Sequence, residues 1–257
     1  MPNGLGGDRT AARSDTIFAM RILACTLISL ALLAQSPQSA DEFSTTQGVV
    51  RITPIQHASL MIEAGGQVIH VDPVGEARYQ GLPPADLILL THHHGDHLDT
   101  RLLPKLRKAG TLVLAPEAVL KAVPDAVVMR NGDKRTFGPW GVEAVPAYNL
   151  QRGPAAGRLY HEKGQGNGYV LSYGGKRFYI SGDTEAVPEM KALRSIDVAF
   201  LCMNLPYTMT PEEAADAARA FQPKVLYPYH YRNSDLAVLQ KLLAGTAIEV
   251  RLRDWYR

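Results

Sequence analysis

From residue 49 onward, apolar and polar positions fall into short runs, each closed by glycine, proline or an acid. Alternation over 49–53, 59–64 and 67–72 predicts strands, and Gly65-Gly66 between the last two predicts a hairpin. The same arrangement returns at 168–173 and 176–180 across Gly174-Gly175, and each hairpin runs into an acid, Asp72 or Asp183. That repetition suggests two similar halves. Between and after the hairpins, apolar strand candidates at 87–90, 111–115, 142–146, 198–203 and 225–229 alternate with helical stretches, so the chain reads as α/β with many hairpins. One helix start is explicit. Thr210-Pro211-Glu212-Glu213 supplies a capping hydroxyl, a proline in the first position and a capping-box glutamate, predicting a helix over 210–221.

The first 40 residues follow a different pattern. Met20-Arg21, the apolar run 22–34 and the small, polar stretch 35–40 have the order of a signal peptide, and the apolar run is too short to span a bilayer. Residues 1–40 are therefore read as an extension plus leader, residues 41–257 as one domain, and the mature protein as exported to the periplasm or beyond, with no integral membrane segment. Cleavage falls between Ala34 and Ala40, which leaves Cys202 as the one cysteine of the mature chain and excludes an internal disulfide. With 46% hydrophobic and 20% charged residues, a net charge of +2 and acids interspersed among the bases, the composition indicates a folded domain without a nucleic-acid surface. A small-molecule substrate is the expected partner.

The chemistry concentrates after the run at 87–90, in Thr91-His92-His93-His94-Gly95-Asp96-His97. Alternation along an extended segment turns His92 and His94 to one side and His93 away, so one ion can take the first pair while Asp96 and His97 reach a second. His93 is given no ligand role. A His-x-His-x-Asp-His segment after an apolar strand resembles the metallo-β-lactamase superfamily. That likeness implies a four-layer αββα sandwich with two metal ions at the shared edge of its sheets. It also implies further ligands at Asp183, in Ile180-Ser-Gly-Asp-Thr184, and at His230, in Tyr227-Pro-Tyr-His-Tyr231. In one place the chain departs from the pattern: the strand at 142–146 leads to Ala147-Tyr148-Asn149 where the superfamily usually carries a histidine. His161, on the stretch 149–168, is the one unassigned histidine downstream and is taken as the missing ligand.

His57, in Ile55-Gln-His-Ala-Ser-Leu60, and Asp72 sit in a context that resembles the branch of ascorbate-6-phosphate lactonase-like enzymes and N-acylethanolamine-releasing phospholipases. By that likeness both lie near the metals, in support of the ligands or facing substrate. Tyr148, Asn149, Tyr207 and Tyr231 fall on loops expected to open at the same edge, where Tyr148 and Asn149 are candidates for supporting the ligands or contacting substrate. Two divalent ions activate water at neutral pH and stabilise the charge formed on attack. Asp183 would bridge them, and Asp96 would orient the nucleophile or pass a proton to the leaving group, which makes these two acids the catalytic candidates. Imidazole and carboxylate ligands suit zinc first, and manganese or iron as well. Cys202, near the end of the run at 198–203, reads as a buried inert thiol.

The expected activity is hydrolysis of a small ester-like bond in a lactone, phosphodiester or related compound. β-Lactam hydrolysis is the alternative, but those enzymes resemble a pattern with Gly-Gly after the Asp-His pair and a later Gly-His-Thr. This chain has Leu98-Asp99-Thr100 and Ala147-Tyr148-Asn149 instead. A non-catalytic, metal-stabilised binding protein is the alternative from another class; closed structural sites tend to use several cysteines, and the expected mature chain has one.

Overall fold

Two seven-stranded sheets follow one another along the chain, and each repeats the same plan. The computed structural model describes residues 40–256, so the expected leader, apart from Ala40, lies outside the described residues. In the first sheet, β1 (Asp41–Thr45), β2 (Gly48–Gln56), β3 (Ser59–Ala64) and β4 (Gln67–Val71) form an antiparallel meander. β5 (Ala85–Leu89), β6 (Arg107–Ala115) and β7 (Val127–Val128) continue it in parallel. The second sheet repeats this with β8 (Lys134–Phe137), β9 (Trp140–Ala147), β10 (Gly166–Tyr173) and β11 (Lys176–Ile180) antiparallel. β12 (Val198–Cys202), β13 (Val225–Tyr229) and β14 (Glu249–Val250) follow in parallel. The two expected halves are thus present, and β4 and β11 hold equivalent places in them.

Alternation decides which face each strand buries. On β5, Leu87 and Leu89 join the core between the sheets, packing with Leu60, Ile62, Tyr169 and Phe178. Ile88 joins a second cluster on the outer face, with Leu103 and Leu106 from α1 (Leu103–Leu106). A strand apolar on both faces is what a covered parallel sheet requires. On the other sheet the outer layer is α2 (Pro188–Lys191), α3 (Pro211–Phe221) and α4 (Leu236–Leu243), with Met190, Ala214, Ala218 and Leu239 in the same core as β12 and β13. The order is αββα, the fold that the resemblance implies. Its first outer layer is thin: α1 is a single turn closed by the start of β6, and Pro116 and Pro124 flank the short helical stretch after it.

α3 begins as its sequence predicts. Thr210 Oγ1 accepts from the Glu213 N–H and the Glu213 carboxylate accepts from the Thr210 N–H, a reciprocal cap worth about 1 kcal/mol. Among the described residues no helix is long and apolar enough to cross a membrane.

Candidate metal centre

Parallel strands end together, and their carboxyl ends deliver most of the site: Asp72 after β4, Thr91 to His97 after β5, Asp183 after β11 and His230 after β13, while Asn149 and His161 come from the stretch between β9 and β10. After β5 the backbone makes one turn, in which His94 O accepts from the N–H groups of His97 and Leu98. Gly95 at its apex is exposed, while Asp96 and His97 turn back toward His92 and His94. His93 points outward and is exposed.

Three histidines are held by one nitrogen and leave the other free. Thr91 Oγ1 donates to Asp72 Oδ2 at 2.6 Å and therefore accepts from His92 Nδ1–H at 3.0 Å. His97 Nδ1–H donates to Asp72 Oδ2 at 2.7 Å. His161 Nδ1–H donates to Asn149 Oδ1 at 2.7 Å, and the same oxygen accepts the His161 backbone N–H at 2.8 Å. The Nε2 atoms of all three are buried without a hydrogen-bond partner among the described residues, as are Asp183 Oδ1 and His230 Nε2. Each such orphan costs roughly 1–3 kcal/mol unless something ligates it.

The orphans converge. His92, His94 and His161 bring ligand atoms within 4.8 Å of one another, and so do His92, His97 and Asp183, and the four residues His57, Asp96, His97 and His230. Asp183 Oδ2 lies 3.4 Å from His161 Nε2, whereas its Oδ1 lies 3.3 Å from His97 Nε2 and 3.4 Å from His230 Nε2. Asp96 Oδ2 is 3.5 Å from His230 Nε2. These separations exceed a good hydrogen bond, and they equal the roughly 3.4 Å between two ligands each about 2.1 Å from one tetrahedral ion. The donor set therefore fits divalent metal, with the free nitrogens already in the ligating tautomer.

Charge agrees with geometry. Burial pushes His94 down to about 4 and His92 well below its ordinary value, so both are neutral and able to ligate. Burial opposes ionisation of Asp183, but His230, His97 and His161 outweigh it and hold the carboxyl well below the usual range. His97 is the exception: Asp183 and Asp72 outweigh burial and raise its pKa well above the ordinary value, so an ion would displace a proton from its Nε2.

His57 enters the same cluster from the end of β2. Its carbonyl accepts from the His230 N–H and its N–H donates to Trp255 O, and both His57 and His230 have left-handed backbones, φ 51° and 50°. Its ring is oriented by a chain whose direction is fixed at the Asp96 end: an ionised carboxylate only accepts, so the neutral ring has its proton on Nε2, and Nδ1 accepts at 2.8 Å from Tyr256 Oη, which itself accepts from the Arg232 N–H at 2.9 Å. Nε2 donates to Asp96 Oδ2 at 3.1 Å. His57 is a donor to an acid rather than a free ligand, and burial pushes its pKa down to about 4.

The supporting roles divide differently from the sequence expectation in one place. Asp72 and Asn149 hold His97 and His161. Tyr148 does not face the site: its hydroxyl donates to Glu189 at 3.0 Å beside Lys163, because the Thr184–Tyr148 backbone contacts turn the ring outward and leave Asn149 to point in. Tyr231 donates to Arg253 O, while Tyr207 lines the cleft. Cys202 is buried, donates to Thr184 O at 3.4 Å, and has its thiol pushed by burial up to about 12.

Several working residues carry no sequence signal as read above. Glu185 Oε1 accepts from Asn149 Nδ2, Gln151 N and Arg152 N, pinning the stretch that carries His161. Its place two residues after Asp183 was the available clue, as was Thr91 directly before the histidine run. Tyr256 offers none, since it meets His57 from the far end of the chain.

Residues 51–230 match the family described as a Beta-lactamase superfamily domain. This chain belongs to the metallo-β-lactamase superfamily. A UPF0173 metal-dependent hydrolase from Listeria innocua is 34% identical over 182 residues, covering 64% of this chain and 79% of the relative. A crystal structure from Parabacteroides distasonis, of a protein designated a metal-dependent hydrolase, is 44% identical with a TM-score of 0.81, covering 85% of this chain and 100% of that one. A metallo-β-lactamase fold protein from Bacillus subtilis, 14% identical with a TM-score of 0.63, covers 77% of this chain and 89% of its own and shares the fold alone.

Proposed function

We propose that this metal-dependent hydrolase of the metallo-β-lactamase superfamily works with two ions, zinc in the first instance, on a small ester-like bond such as a lactone or phosphodiester. The observation that carries the reading is Asp183, whose two oxygens face different histidines, Oδ2 toward His161 and Oδ1 toward His97 and His230. His92, His94 and His161 would hold one ion, Asp96, His97 and His230 the other, with Asp183 common to both. Bound there, the ions supply activation of water and stabilisation of developing negative charge.

The chain's own residues do the rest. Asp96 is the most open of these groups, with its side chain 42% exposed to the cleft, and the His57 N–H holds one of its oxygens. It is suited to orient the attacking water and to pass a proton to the leaving group. Asp72 and Asn149 keep two imidazoles aimed inward, so little reorganisation accompanies reaction. The cleft, about 920 Å³ and open to solvent, admits a small molecule. The signal-like pattern over 20–40 supports export as part of the same proposal.

The test is turnover of bis(4-nitrophenyl) phosphate, 4-nitrophenyl phosphate, a lactone and a chromogenic β-lactam, with and without chelator and added zinc or manganese. Chelator-sensitive turnover of the lactone or diester is expected. Exclusive turnover of the β-lactam, or none of the panel with two ions bound, would overturn the reading.

A further inference from the structure

The cleft is lined by two acids, Asp96 and Asp183, and among the described residues by one arginine or lysine, Arg232. Arg232 lies two positions beyond His230 in a left-handed conformation, φ 39°, that side chains seldom adopt. Tyr256 Oη holds its backbone N–H, so the turn is fixed where the cleft meets a second depression of about 540 Å³ beside His57. Unlike Arg152, Arg177, Arg251 and Arg253, each of which pairs with an acid, its exposed guanidinium makes no hydrogen bond or ion pair with a described residue, and its charge acts on the Tyr256 hydroxyl. A non-glycine residue held in a strained turn, with its charge left free at a cleft, is the kind of local cost that persists at functional sites.

Asn204 is the second observation. It is 4% exposed and lines the same cleft. Its backbone is satisfied, the N–H donating to Thr208 Oγ1 and the carbonyl accepting from Tyr207 and Thr208, yet its side-chain amide has no partner among the described residues. The loops that carry Asn204 and Arg232 are stitched side by side: Met203 N–H donates to His230 O, and the Ser234 hydroxyl donates to Met203 O. Directly after Asn204 come two exposed apolar side chains, Leu205 and Tyr207, the latter edge-on to Tyr160 at 4.9 Å.

We propose that Arg232 and Asn204 seat a non-reacting anionic group of the substrate, a carboxylate or phosphate, while an apolar portion lies on Leu205 and Tyr207. The substrate class is then a small amphipathic anion rather than a neutral ester. A guanidinium and an amide donor lining one cleft suit an oxyanion of either kind. This rests on the reading of the cleft as the substrate site.

The test is equilibrium binding to the full chain after incubation with Zn2+, by calorimetry, of three inert probes: 4-phenylbutyrate, 3-phenylpropylphosphonate and neutral 4-phenylbutyramide. At least one anion binds about tenfold or more tighter than the amide, and the tighter one identifies carboxylate or phosphate. Arg232→Met reduces that preference by about tenfold, Arg232→Lys restores part of it, and Asn204→Ala weakens the anion about threefold or more. Equal binding of anions and amide by the unaltered chain, or an unchanged preference in Arg232→Met, overturns the proposal. None of these readouts needs turnover. A chain with an Arg232-dependent preference that hydrolyses nothing contradicts the proposed reaction alone, and a hydrolase without the preference contradicts this inference alone.

Discussion

His97 stands between two carboxylates from equivalent strands: its Nδ1 donates to Asp72 Oδ2 at 2.7 Å, and its Nε2 lies 3.3 Å from Asp183 Oδ1. Asp72 follows β4 and Asp183 follows β11, so the repeated halves meet on one imidazole and give their equivalent acids different work. The first contact is a hydrogen bond that fixes the tautomer; the second has the length of two ligands sharing an ion.

Asp183→Asn keeps the shape and removes the charge that faces both donor sets. Bound metal measured by mass spectrometry should fall from two ions per chain to one or fewer, and hydrolysis should be lost with the far-ultraviolet circular dichroism unchanged. Two ions and full turnover in this variant would refute the bridging role.

Asn149→Leu removes the acceptor of His161 Nδ1 and leaves that ring free to rotate. Metal affinity should fall about 10–100-fold, the usual cost of losing a ligand's supporting partner. The loss should affect one ion and spare the other, giving a metal-release curve with two separated steps on titration with chelator. A single unchanged step would contradict it.

His57→Asn tolerates the left-handed backbone at φ 51° and deletes the donor to Asp96. Because His57 is a donor rather than a ligand, metal content should remain at two while kcat falls about tenfold or more. Loss of an ion would make His57 a ligand.

The metal-stripped protein should lose stability as pH falls from about 6.5 to about 4. His57 and His94 have folded values of about 4 and His92 lies well below its ordinary value, so in that window the unfolded chain binds more protons than the fold. Each contributes on the order of 1 kcal/mol per pH unit. His97, with a raised value, is protonated in both states through most of that window, so its opposite pH dependence lies above about pH 6.5. Thermal unfolding at pH 7 and pH 5 measures this; a Tm that rises on acidification would contradict it.

How much of the site was legible depended on how local it is. His92 to His97 stand in one turn, so spacing alone singled them out, whereas Asp183 and His230, each after an apolar strand, were reachable only through the resemblance that this segment carries. His161 was found by counting histidines, and Asn149 only as a polar residue at the correct edge. Tyr148 was misplaced because adjacent residues on an extended segment point opposite ways, and nothing local says which of the pair faces inward. Tyr256, Asn204 and Arg232 act through contacts made only when distant loops pack together, as Tyr256 does with His57 across 199 positions. The elements followed the same rule: hydrophobic strands were visible, whereas β1, with its Asp-Glu start, and the two-residue β7 and β14 depend on pairing with a neighbour.

The most direct test of the two-ion centre is anomalous diffraction at the zinc edge from crystals of the zinc-treated protein. The account predicts two peaks roughly 3.5–4 Å apart, one contacted by His92, His94 and His161, the other by Asp96, His97 and His230, with Asp183 touching both. A single peak, or a second peak ligated by His57 in place of Asp96, would contradict it.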